Sequence, residues 1–210
     1  MRKYKFTGVP NHEGLHQIIR LNPKIVEGQI GGWIESEDNL SHDGDCWVAD
    51  NAKVFGKALV SGNAMVYGDA HVTGKARVYG DAQVYGNAEV SGAALVFGHS
   101  QVFEKAQVYG NAQVSGTALV FGFADVEGNA DVSGAAEVYD CVQVFDNSTV
   151  NGNAKISEEA QVFGNANVSG DAEVCGKAKV FGKAKISGDT KLSGDVRYFN
   201  YDSAIDGQLA

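Results

Sequence analysis

The sequence predicts an all-β, single-stranded parallel β-helix, and three observations predict it. From Cys46 onward the chain reads x-Ala-x-Val-[Tyr/Phe/Ser]-Gly again and again. The aliphatic position recurs every six residues, from Val48, Val54, Val60 and Val66 to Val180, Ile186 and Leu192, with Tyr198 ending the phase. Composition agrees, since 27 glycines against 2 prolines suit many tight corners joined by short strands.

A helix cannot carry this pattern. At 100° per residue a six-residue period steps the valines round by 120° and leaves no single apolar face. Glycine in every hexad would add roughly 1 kcal/mol of helix cost each time. In a strand, by contrast, Ala and Val two apart point to the same side, so each hexad offers one inward pair. The small column runs from Ala52 and Ala58 to Ala178 and Ala184, with compact exceptions at Ser100, Val142, Ser148, Thr190 and Val196. Glycine then makes the corner, where positive φ costs it little, and the Asn, Asp or Lys that often follows suits a turn. Three strands and three corners close one triangular coil. About 26 hexads give roughly 8.7 coils and a prism about 42 Å tall at the ordinary strand spacing.

The chain divides into three parts on this reading: an N-terminal β cap at 1–45, the β-helix at 46–199, and a C-terminal cap or tail at 200–210. Lys3–Thr7 and His16–Leu21 read as short strands around the turn-rich Gly8-Val9-Pro10-Asn11. An open coil end presents unpaired backbone groups and needs a cover. Over residues 46–199 the hexads resemble the left-handed β-helix of hexapeptide-repeat proteins. That resemblance implies the left hand and a homotrimer with parallel prism axes. The stretch Gly31-Gly32-Trp33-Ile34-Glu35-Ser36-Glu37-Asp38-Asn39-Leu40-Ser41, running into Asp45-Cys46-Trp47-Val48, resembles the entry to the repeats in phage and prophage β-helix proteins.

Residues eighteen apart share a column on one face, and the outward columns carry what packing does not dictate. One column holds Tyr67, Tyr85, Phe103, Phe121 and Tyr139 before turning to Ser157, Cys175 and Ser193. A second holds Phe145, Phe163, Phe181 and Phe199, and a third, mostly small, carries Tyr79 and Phe97 in adjacent coils. Such ladders either stiffen the sheet by ring stacking or bury against partner subunits. If each ring hides roughly 100 Å², five supply on the order of 12 kcal/mol, against an association cost of about 4–15 kcal/mol. The expected trimer-contact residues are Tyr67, Tyr85, Phe103, Phe121, Tyr139, Phe145, Phe163 and Phe181.

A net charge of −9 argues against broad affinity for duplex nucleic acid, which rests on a Lys/Arg excess. The basic start is followed by no long apolar run, and nothing approaches eighteen apolar residues, so neither a signal peptide nor a membrane span is expected. Cys46, Cys141 and Cys175 fit neither a disulfide framework nor a zinc spacing, which suits a reducing cytoplasm, and the phage resemblance implies that of a bacterial host. No metal site and no cofactor are expected.

Many hexapeptide-repeat proteins are acyltransferases, which implies an interfacial histidine base, often an extruded loop, and a groove for acyl-CoA. Only His71 and His99 lie within the repeats, and no loop interrupts them. The carboxylates Asp125, Glu127 and Asp131 read as a solvated face. One group stands out: Arg77, Tyr79, Gln83 and Tyr85, with Leu95, Phe97, His99, Gln101, Phe103 and Lys105 a coil later. Flat rings, amides and positive charge suit stacking a nucleobase while holding its phosphate. The resemblance to phage β-helix trimers that sequester cyclic nucleotide immune signals implies a non-enzymatic sponge. Its ligand would be a cyclic di- or trinucleotide, held at subunit junctions by Arg77, His99 and Lys105 near phosphates and Tyr79, Tyr85 or Phe97 near bases. An acyltransferase and a purely structural phage protein are the alternatives.

Overall fold

The computed structural model describes residues 2–21, 28–200 and 204–206. They form a parallel β-solenoid with three sheets of twelve, nine and nine strands, one per face of the prism. Most strands are only two residues long, as in Arg77–Val78, Gln83–Val84 and Glu89–Val90, because each inward pair is soon followed by a corner. The face through Val54, Val72 and Val90 is here the first face, that through Val60, Val78 and Val96 the second, and that through Val66, Val84 and Val102 the third. Strands pair in parallel with their counterparts one coil away, Gln83 opposite Gln101 and Val84 opposite Val102.

Hydrogen bonds run along the prism axis. Lys53 N–H donates to the Ala70 carbonyl at 2.9 Å, Leu59 to Ala76 at 3.0 Å and Met65 to Ala82 at 2.9 Å, a pattern that repeats through the coils. Inside, the valine and alanine columns are fully buried. Where Ser100 and Ser148 replace alanine, each buried hydroxyl donates to a carbonyl three residues back, Phe97 and Phe145, at 2.8 Å. An unpartnered hydroxyl there would carry a desolvation cost of about 1–3 kcal/mol.

Corner glycines lie in the left-handed region, Gly92 at φ 67°. A Cβ on Gly92 would stand 2.7 Å from the Gly110 carbonyl oxygen of the next coil. Five acidic residues nonetheless occupy this conformation: Asp50, Glu104, Asp140, Asp146 and Glu158. Three of them compensate by accepting a backbone N–H from the coil above. Asp50 bonds Gly68 at 3.0 Å, Asp140 bonds Glu158 at 3.1 Å and Asp146 bonds Gly164 at 3.0 Å. Short acidic side chains tolerate the left-handed region better than most because of such local bonds.

At the N-terminal end β1 (Tyr4–Phe6), β2 (His16–Arg20) and β3 (Ile30–Ile34) form an antiparallel meander that continues the first face. Parallel pairing already begins here, with Trp33 opposite Lys53 and Ile34 opposite Val54. The isolated bridge between Leu40 and Val60 continues it on the second face. Residue 45 therefore marks where the regular eighteen-residue register starts, and the first coil begins well before it. Ile34, Leu40 and Val48 hold its aliphatic positions, with two extra residues between Leu40 and Trp47 that hide it from the hexad count. Tyr4 is buried and its hydroxyl donates to the Leu40 carbonyl at 2.8 Å. Arg20, 8% exposed, lies over the buried Trp47 ring at 4.1 Å. At the other end Ala204–Asp206 pairs in parallel with Lys185–Ser187. The rest of the stretch read as a tail, 201–203 and 207–210, lies outside the described residues.

Two glycine substitutions, one in the N-terminal loop and one at a coil corner, separate clash from backbone strain. Gly14 has φ 81° and nothing within 4 Å of an added Cβ. Gly14→Ala should cost only the left-handed penalty of about 1–2 kcal/mol, whereas Gly92→Ala adds the clash with Gly110. The denaturation midpoint of Gly92→Ala is expected to fall clearly further; equal midpoints would contradict close backbone stacking at the corners.

Candidate functional site

The residue after each valine faces outward, and along the third face these residues make a continuous ring stack. Tyr67, Tyr85, Phe103, Phe121 and Tyr139 follow one another at centroid distances of 4.8, 4.9, 4.8 and 5.0 Å, all within 6° of parallel. The spacing is that of neighbouring strands, so one ring per coil brings flat faces together. The rings are half-buried in a single chain, and their edges point outward. Tyr67 and Tyr85 donate their hydroxyls to Gln83 and Gln101, at 3.2 and 3.0 Å. Burial pushes both phenols up from the ordinary range, more than the nearby carboxylates do. Met65 and Leu119 flank the column.

The first face carries the second ladder in its C-terminal half. Phe145, Phe163 and Phe181 stack at 4.8 and 5.0 Å, and Phe199 closes the series tilted by 33°. The third face turns charged at the same level, where Glu137 meets Lys155 at 3.5 Å and Glu173 meets Lys191 at 2.9 Å. Apolar columns thus change face halfway along the prism.

The six proposed ligand contacts are distributed over two faces and two corners. Tyr79 and Phe97 stack at 5.0 Å and 1° on the second face. Their column continues with Ser61 below and Ser115 above, so the outer face of each ring has a small neighbour instead of a third ring. Arg77 is exposed on the same face, in register between Leu59 and Leu95. His99 stands on the corner leading to the third face, its Nε2 3.5 Å from Asp81 Oδ2. Tyr85 belongs to the long ladder beyond that corner. Lys105 lies at the far edge of the third face, where its ammonium approaches the Phe123 ring at 5.0 Å. Within one chain Tyr79, Phe97, Arg77 and His99 form a neighbourhood, and Lys105 stands apart from it.

The acidic group also divides. Asp131 lies on the second face, and Asp125 and Glu127 on the first beside Tyr109. Burial raises the Tyr109 phenol well above its usual range, helped by hydrogen bonds to Glu127 and Asp125. Asp125 is raised by desolvation first and by the Glu127 charge second, with the Tyr109 hydroxyl opposing both. The place of Tyr109 one coil below Glu127 follows from the eighteen-residue column they share. Among the described residues no group of three His, Cys, Asp or Glu side chains could hold a metal ion. No helix there is long and apolar enough to cross a membrane.

Residues 58–74 and 82–98 match the YdcK beta solenoid repeat family. No curated protein matches the chain. The chain is therefore a β-solenoid repeat protein by both sequence and geometry.

A raised carboxyl makes a signed prediction. Asp125 holds its proton more tightly in the fold than in the unfolded chain, so ionisation costs stability as pH rises through the carboxylate range, and acid relieves that cost. Asp125→Asn, which keeps an acceptor for Tyr109, should raise the melting temperature at neutral pH and lose that advantage in acid. A drop at neutral pH would contradict the assignment.

Proposed function

We propose that this protein is a non-enzymatic phage anti-defence sponge. On this reading a left-handed solenoid assembles as a homotrimer in the host bacterial cytoplasm and sequesters cyclic di- or trinucleotide immune signals at subunit junctions. The observation that carries the reading is the Tyr79–Phe97 pair. Two parallel, stacked rings end in outer faces over Ser61 and Ser115, with the exposed Arg77 beside them and His99 at the adjoining corner. A flat base can extend that stack by one step at either end, and a cation nearby can meet its phosphate. The aromatic ladder of the third face, together with Met65 and Leu119, supplies a flat apolar surface for a neighbouring subunit. Lys105, on the far edge of that face, would then serve a pocket completed by the neighbour. The resemblance of the Gly31–Ser41 entry segment to phage β-helix proteins supports the same reading.

Uninterrupted coils favour holding a ligand over transforming it. The described residues contain no extruded loop within the repeats to wall off a catalytic groove.

The test is retention. The purified protein, incubated with a panel of cyclic di- and trinucleotides and with acetyl-CoA, should release an intact cyclic nucleotide on heating. Tyr79→Ala should weaken retention by about tenfold or more, the range of one base-stacking contact, and Arg77→Ala should weaken it and flatten its salt dependence. Retention unchanged in both variants would contradict the placement. Turnover of acetyl-CoA, lost in His71→Ala or His99→Ala, would replace the sponge with an acyltransferase.

A further inference from the structure

A small cavity of about 180 Å³ lies on the first face under the N-terminal loop, on another side of the prism from the Tyr79–Phe97 stack. Glu13, Leu15, Lys53, Phe55 and His71 line it. The loop is held in place by its own asparagine. Asn11 Oδ1 accepts the backbone N–H groups of Glu13 and Leu15 at 2.9 and 3.0 Å, and Asn11 N–H returns to the Leu15 carbonyl at 2.9 Å. Leu15, 4% exposed, is thereby fixed as one wall. His71 and Lys53 stand in register on adjacent strands of the opposite wall.

Phe55 occupies the ladder position of its coil, yet among the described residues it stacks on no other ring. The next residue in its column is Thr73, whose backbone lies one strand above. Phe55 thus keeps a ring face unstacked, as the ends of the Tyr79–Phe97 pair do on the second face. The polar groups beside it are specific in character. Glu13 and Lys53 form an ion pair at 2.5 Å, and that contact holds the Glu13 carboxyl below its ordinary range. Lys53 is already neutralised, so an anionic ligand gains little there. Each partner still has capacity to spare, the carboxylate as acceptor and the ammonium as donor. The volume falls below the roughly 300–1,000 Å³ of sites that take drug-sized ligands, and so admits one ring with a short substituent.

We infer that this cavity is a binding site for a neutral, single-ring planar ligand bearing an amide-like donor–acceptor edge, its ring stacked on Phe55 and its edge shared between Glu13 and Lys53. This site is independent of the sponge reading. Ligand-observed NMR on the full chain tests it with nicotinamide as the probe and benzoate as its anionic counterpart. Nicotinamide should bind saturably at millimolar concentration and benzoate should not. Phe55→Ala should weaken nicotinamide by about tenfold or more through loss of the stack. Thr73→Phe, which supplies the missing ring and leaves Phe55 in place, should abolish binding in a protein of undiminished melting temperature. No saturable binding of nicotinamide, equal binding of benzoate, or native-like binding in Thr73→Phe would each overturn the proposal.

Discussion

Everything on the surface of this molecule depends on the eighteen-residue register of its backbone hydrogen bonds. Each strand N–H reaches a carbonyl of the next coil, as Lys53 does to Ala70, so the chain is locked in rotation as well as in height. Valine and alanine fill the interior of every coil without choosing among faces. Because the register holds without a slip from Trp47 to Asn200, a side chain placed outward in one coil meets its counterpart eighteen residues on. Ring spacings of 4.8–5.0 Å along the ladders are the strand spacing expressed in side chains.

That constraint has a chemical consequence. Rings stacked along the axis spend their faces on one another and offer their edges to a partner. A ladder is therefore a smooth apolar strip suited to a flat protein surface, and a poor platform for a planar ligand along its length. Ring faces become available only where a column breaks, as at Ser61 and Ser115 around the Tyr79–Phe97 pair and at Thr73 beside Phe55. Where the ladders run and where they stop thus separate surfaces fit for association from positions fit for small molecules.

The repeats were legible in the sequence because nearly every hexad states the same inward pair and the same corner, and the columns follow by counting eighteen. Other features were not. The first coil was hidden by the two extra residues before Trp47, which move Ile34 and Leu40 out of phase with the hexads. The cluster from Arg77 to Lys105 looked compact in sequence, but each step of six residues turns the chain onto another face, so Lys105 ends an edge away from Tyr79. Gln83 and Gln101, which looked open to a base, accept hydroxyls from Tyr67 and Tyr85. The Phe55 cavity depends on a loop at Asn11–Leu15 meeting residues about forty to sixty positions later, a contact that no repeat rule anticipates. Left-handed corners at Asp50, Asp140 and Asp146 were likewise concealed, since only the coil above shows what their carboxylates bond.

The most direct test uses the register itself. Duplicating one full coil, Asn87–Glu104, lengthens the prism but keeps every downstream side chain on its face. Duplicating the single hexad Asn111–Gly116 preserves the fold pattern but rotates all that follows by one face, which separates Phe121 and Tyr139 from Phe103. Solution mass by sedimentation, with circular dichroism to establish folding, reads the outcome. If continuous ladders drive association into a trimer, the native protein and the coil duplicate both show a three-chain mass and the hexad duplicate folds as a monomer. Two duplicates of the same oligomeric state would contradict that claim.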